Sequence, residues 1–177
     1  RCSVSRTNFM PFAKPTITEK ELSEVKACLE SGWLTTGPRV QQFEEDLKSY
    51  FGRPHVMSVS SATAGLHLAL LTLNLQPGDE VITTAMTFVA TLNTIEHAGG
   101  RVVLVDIDPL TYNMDLNQVE EAITPRTRAI VPVHYAGAPI DLDKLYELAE
   151  RYDLRIIEDC AHAIGTEYKG KRLGSFG

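Results

Sequence analysis

RVVLVDIDPLTYNMDLNQVEEAITPRTRAIVPV, residues 101–133, is the stretch whose reading decides the fold. Arg101–Val105 is a short β-branched and aliphatic run, which reads as a strand. Leu116–Ile123 then reads as a helix and Ala129–Val133 as a second strand. Upstream, the same alternation gives a strand at Val56–Val59, a helix at Ala62–Leu73, a strand at Glu80–Thr83 and a helix at Thr87–His97 closed by Gly99-Gly100. Downstream come a helix at Leu142–Tyr152 and a strand at Leu154–Ile157 that ends in Glu158-Asp159. Strands separated by single helices lie parallel, joined by right-handed crossovers with helices on both faces. The expected class is therefore α/β, with a mostly parallel sheet. Ligands of such sheets bind beyond the carboxyl ends of the strands, so the residues just after each strand matter most.

Before the alternation, Thr18–Ser31 has the marks of an amphipathic helix. Thr18 can cap it, Glu21 stands at the capping-box position, and Leu22, Val25 and Leu29 share a stripe that Gly32 ends. A loop, Gly32-Trp33-Leu34-Thr35-Thr36-Gly37-Pro38, leads into a second helix over Pro38–Phe51, with Val40, Phe43, Leu47 and Tyr50 or Phe51 facing inward. Residues 1–9 read as an unstructured leader, 10–54 as a helical segment with its loop, and 55–177 as part of a large sheet domain. The last residues suggest a hairpin over Tyr168–Gly174, turning at Gly170 and Lys171. The sheet reads as unfinished at Gly177.

The 177 residues are 44% hydrophobic and 23% charged with a formal charge of -6, a globular composition that argues against nucleic acid or an anionic membrane as partner. No apolar run is long enough to span a bilayer. Three scattered cysteines, Cys2, Cys28 and Cys160, suit a reducing compartment, with the cytoplasm the expected location. Neither the cysteines nor the histidines have metal-ligand spacing, and no Ser-His-Asp or Cys-His arrangement is legible.

Ser60-Ser61-Ala62-Thr63-Ala64-Gly65 follows the first expected strand and opens a helix, where backbone N–H groups and hydroxyls could hold a phosphate. The same residues would serve if Ser61 simply capped the helix. Glu158-Asp159 ends a central strand, and adjacent residues there point to opposite faces, so one carboxylate at most aims at a given pocket. Such a carboxylate could hold a protonated ring nitrogen, or it could cap the next turn; His162 could orient it or contact the ring. Phe88 could lie flat against a ring or belong to the core. His134 and Tyr135 follow a strand and reach the same edge, or they pack.

Taken together, the chain from Met10 onward resembles the DegT/DnrJ/StrS type of sugar-nucleotide aminotransferase, a branch of the fold-type I pyridoxal phosphate enzymes. The resemblance is carried by the Trp33 loop, by Ser60–His67, by Pro77-Gly78-Asp79-Glu80-Val81-Ile82 and by Thr87-Phe88-Val89-Ala90-Thr91. It continues through Val105–Asp108, Val131–Gly137 and Ile157–Gly165. It implies pyridoxal phosphate as cofactor, a keto-sugar nucleotide and glutamate as substrates, and a homodimer. Thr63 and Ala64 match positions that hold the cofactor phosphate, Phe88 the aromatic stacked on its ring, and Asp159 the partner of its ring nitrogen. His162 matches the residue beside the ring. Trp33 and Thr35, with His134 and Tyr135, fall where the sugar nucleotide is expected. The family's cofactor-bearing lysine lies in a Ser-Phe-His-x-x-Lys type of segment beyond Gly177, and neither Lys169 nor Lys171 matches it. The resemblance leaves room for a relative with His at that position, which dehydrates the sugar, and for a non-catalytic relative or fragment.

Overall fold

The structure, a computed structural model, describes residues 14–176. The leader expected at 1–9, with Cys2, lies outside the described residues. Two compact units divide at Glu45/Asp46, inside a helix, and not at the 54/55 boundary expected from the sequence.

In the first unit, α1 (Glu19–Ser31) is capped as expected: Thr18 accepts from Lys20 N–H, and the Glu21 carboxylate takes the Thr18 N–H in return. Gly32 ends α1 in the left-handed region at φ 74°, where a side chain would be strained. Leu22, Val25 and Leu29 do form one stripe, but they remain exposed. α2 (Pro38–Phe51) begins in this unit, and Arg39 pairs with Glu24. Phe43, expected inward, is exposed, whereas Val40, Leu47, Tyr50 and Phe51 are half-buried.

The second unit holds the sheet. Its further elements are α3 (Ala62–Leu71), β1 (Glu80–Thr84), α4 (Ala90–His97), β2 (Arg101–Val105) and α5 (Leu116–Ala122). They continue with β3 (Thr127–Ile130), α6 (Leu142–Arg151), β4 (Arg155–Ile156) and the ribbon strands β5 (Glu167–Tyr168) and β6 (Lys171–Arg172). The sheet order is β2-β1-β3-β4, every pair parallel. Alternation along the strands divides the core in two. Val81, Ala129 and Val131 face α3 and α4, packing with Leu66, Leu70 and Ile95. Ile82 and Ile130 face α5 and α6, packing with Val119, Leu145 and Leu148. The result is three layers.

Some expected elements differ. Val56–Val59 forms no strand, because a ladder needs a neighbour and none lies beside it among the described residues. α4 starts at Ala90 instead of Thr87, the Thr87–Val89 stretch forming a bend with no side-chain cap. β3 ends at Ile130 because Pro132 has no N–H to continue the ladder, although Val131 N–H still reaches Ile82 O at 2.8 Å and Val133 bridges to Asp159. The hairpin turns at Lys169-Gly170, one residue earlier than expected. Both lie at positive φ (51° and 77°), the backbone of a two-residue turn whose twist suits the ribbon. No helix among the described residues is long and apolar enough to cross a membrane.

Candidate active site

The strand order reverses direction between β1 and β3, since β2 lies on one side of β1 and β3 on the other. A crevice outside the carboxyl ends at such a switch is where open α/β sheets bind ligands. The segments leaving β1, β3 and β4 there carry Thr87-Phe88, His134-Tyr135 and Glu158-Asp159.

Asp159 is 7% exposed and points toward α4. Its Oδ2 accepts from the Thr91 hydroxyl at 2.9 Å, and its Oδ1 from the Ala161 N–H at 3.2 Å. The backbone of Asp159 is pinned to β3: its N–H reaches Pro132 O at 2.9 Å, and its carbonyl takes the His134 N–H at 3.2 Å. Glu158 faces the other way, into the α6 layer, where Tyr146 donates to its Oε1 and His134 Nε2 lies against Oε2, both at 2.9 Å. The alternation expected of adjacent strand residues is therefore realised, with Asp159 on the α3/α4 side.

A cleft of about 220 Å³ joins Asp159 and Ala161 to the first turns of α3, at Ala62 and Gly65. The start of α3 and Asp159 thus share one edge of the sheet. Ser61 caps α3 by accepting the Ala64 N–H at 3.1 Å, so this N–H is already engaged. Thr63 is exposed in the first turn, and Phe88 is 73% exposed between β1 and α4. His162 is exposed on the turn after Asp159. Its carbonyl oxygen would lie 3.0 Å from a Cβ on Gly137, which ties that turn to the loop after β3.

His134 does not reach this edge. Its side chain is fully buried at 0% exposure, between Glu158 and the Ile140 N–H, which corrects the expectation of a substrate contact. Tyr135 is half-buried beside Tyr112, its N–H bonded to Asn113 Oδ1. Donor atoms of His134, Glu158 and Cys160 lie within 4.8 Å of one another, a proximity that the sequence spacing did not signal. His134 and Tyr146 hydrogen-bond to Glu158 and Cys160 stands beside them: burial and then Glu158 push the Cys160 thiol up to about 12, keeping it protonated, and the same causes raise the Tyr146 phenol. Trp33 and Thr35 belong to the first unit. There the exposed Trp33 indole lies so close to Gly37 that a Cβ on Gly37 would meet it at 2.7 Å. Thr91, the partner of Asp159, is a site residue that sequence reasoning missed; only its place in the Thr87–Thr91 stretch hinted at it.

A ring cofactor with a protonated nitrogen fits Asp159. An ionised carboxylate has about four acceptor positions, and the two hydrogen bonds given above leave capacity for an N–H donor.

The class of protein follows from comparison as well as from geometry. Residues 15–177 match the DegT/DnrJ/EryC1/StrS aminotransferase family, and the chain belongs to that family. Its fold is the fold type I of pyridoxal phosphate-dependent aminotransferases. Among individual relatives, MJ1066 of Methanocaldococcus jannaschii, itself uncharacterised, is 50% identical over 172 residues, covering 97% of this chain and 45% of that protein. AtS13 from Actinomadura melliaura matches with a TM-score of 0.90 and 43% identity, over 97% of this chain and 48% of its own. Spr1654 from Streptococcus pneumoniae, a candidate sugar aminotransferase in its PLP form, matches with a TM-score of 0.89 and 40% identity, over 95% of this chain and 47% of its own. The chain thus spans about half the length of these relatives.

Proposed function

We propose that the whole protein transfers an amino group from glutamate to a keto-sugar nucleotide with pyridoxal phosphate as cofactor, in nucleotide-sugar and polysaccharide biosynthesis. The observation that carries this reading is the buried Asp159 carboxylate, fixed at both oxygens on the carboxyl edge of the sheet and sharing a cleft with the start of α3. Family membership and the PLP form of Spr1654 support the cofactor.

When bound, pyridoxal phosphate supplies an electron sink for the charge left as a proton departs from the donor's Cα, and carries the nitrogen between substrates. Asp159 keeps the ring nitrogen protonated by standing against it as an ion partner. Phe88 would offer its exposed face to the ring, and His162 would stand beside it from the turn after Asp159. Thr63 offers an exposed hydroxyl to the phosphate, with the dipole of α3 behind it. Ala64 joins in that contact if its N–H is shared with Ser61. We assign Trp33 and Thr35, and separately Tyr135, to sugar-nucleotide binding in a homodimer. Lys169 is paired with Asp143, and Lys171 lies over the Phe176 ring, 4.5 Å from its centre. We assign neither to the cofactor. Free Cys28 and Cys160 accord with a cytoplasmic location.

The finer choice of C4 as the aminated carbon rests on Ala62–Gly65, Thr91-Leu92-Asn93 and Ala138-Pro139. These stretches resemble those of UDP-4-amino-4-deoxy-L-arabinose aminotransferase. Incubating the full-length protein with glutamate, pyridoxal phosphate and a panel of 4-keto- and 3-keto-sugar nucleotides tests both levels, with mass spectrometry of the products. Amination of a 4-keto-sugar nucleotide is expected, and Trp33→Ala should raise its KM. A dehydrated sugar formed without glutamate would instead identify a dehydratase. Transfer to no sugar by protein that binds the cofactor would overturn the aminotransferase reading.

A further inference from the structure

α4 buries two threonines, and they are engaged differently. Thr94 returns its hydroxyl to the helix, 2.8 Å from Ala90 O and 3.1 Å from Thr91 O, a common way to bury a threonine in a helix. Thr91, 1% exposed, does not. Its Oγ1 lies 2.9 Å from Asp159 Oδ2 and 2.8 Å from Thr87 Oγ1.

Counting protons fixes the direction of this network. An ionised carboxylate only accepts, so Thr91 spends its single hydroxyl proton on Asp159. Thr91 Oγ1 is then left as an acceptor, and the Thr87 hydroxyl must donate to it. Thr87 to Thr91 to Asp159 is a one-way chain of donors that ends on the carboxylate.

We infer that Thr91 is a positioning residue that sets the plane of the Asp159 carboxylate toward the cofactor ring nitrogen, and that Thr87 orients Thr91. This inference rests on the proposed role of Asp159. The terminal torsion of an aspartate is broad and roughly two-fold, so burial alone does not orient its oxygens. The Ala161 N–H holds one oxygen and Thr91 the other, which fixes the plane and directs the remaining lone pairs. A site held this way meets its ligand without first ordering a side chain. If Thr91 only filled space in the core, its isostere valine would serve equally well.

The test uses two cofactor forms with the full-length protein: pyridoxal phosphate, and 1-deazapyridoxal phosphate, in which C–H replaces the ring nitrogen. Their dissociation constants are compared in the unmodified protein and in Thr91→Val, Thr91→Ser and Thr87→Val, each checked for folding by circular dichroism. The unmodified protein should prefer the natural cofactor. That preference should fall about tenfold in Thr91→Val, the size expected for one hydrogen bond to a charged group, and return to within about twofold in Thr91→Ser. Thr87→Val, at a half-buried position, should lose a smaller part and carries the test alone if Thr91→Val does not fold. A preference unchanged in Thr91→Val, or in Thr87→Val where that variant stands alone, overturns the inference while leaving the role of Asp159 intact. Equal binding of the two forms by the unmodified protein overturns the Asp159 role, and the inference with it.

Discussion

The peptide unit between Glu158 and Asp159 separates two environments. On one side Glu158 gathers the Tyr146 hydroxyl and the His134 imidazole inside the α6 layer; on the other Asp159 meets Thr91 at the open edge. Substitutions at the two positions should fail in different ways. Glu158→Gln leaves a buried imidazole and phenol with a weaker partner and should cost about 1–3 kcal/mol of stability, read by urea titration, with cofactor affinity retained in the folded protein. Asp159→Asn should unfold at nearly the same denaturant concentration yet bind pyridoxal phosphate far more weakly. Similar cofactor losses in both would contradict the division of roles. Strand alternation alone said that one carboxylate at most faces a given pocket; the choice of Asp159 came from the family resemblance. The inward course of His134 was not, since its fate depends on a carboxylate from another strand and on the Ile140 backbone, which no local pattern announces.

Among elements, periodicity located the helices and the longer strands to within a few residues, and capping chemistry fixed the start of α1. Two of the failures share a cause: they depend on partners remote in sequence. Val56–Val59 has strand composition without a neighbouring ladder, and Thr91 acts on Asp159, 68 residues away. The hairpin was displaced by one residue because lysine gives no signal for the left-handed backbone that Lys169 adopts. Gly170 shares that conformation at φ 77°, and a Cβ there would meet nothing within 4 Å. Any loss in Gly170→Ala is therefore conformational, and about 1 kcal/mol is expected. A thermal melt that does not shift would show the turn relaxing to another type.

For the whole molecule, the amino edge of the sheet is as organised as its carboxyl edge. Glu80 opens β1 at 3% exposure, where the Thr124 hydroxyl and then Arg126 hold its carboxyl below the usual range, and Arg101 stands 3.6 Å away. A carboxyl depressed on folding adds stability above its unfolded pKa and loses it as pH falls through the folded value. Its contribution is thus complete at neutral pH and fades below about 4.5. Thr124→Val should therefore destabilise the protein by about 1 kcal/mol at pH 7, allowing for the exposed arginine, and the deficit should shrink in acid. A deficit that stayed constant from pH 7 to 3 would remove Glu80 from the explanation. The position of β1 at the centre of the sheet has a consequence for biosynthesis. Among the described strands of this sheet β1 is translated first, pairs with β2 on one side, and receives β3 on the other only after α5 has been made. While the ribosome synthesises that interval, one flank of β1 stands unzipped, and Glu80 awaits Arg126. This is a window in which a nascent chain is open to pairing with a neighbouring chain, so chaperone demand should fall when β3 docks.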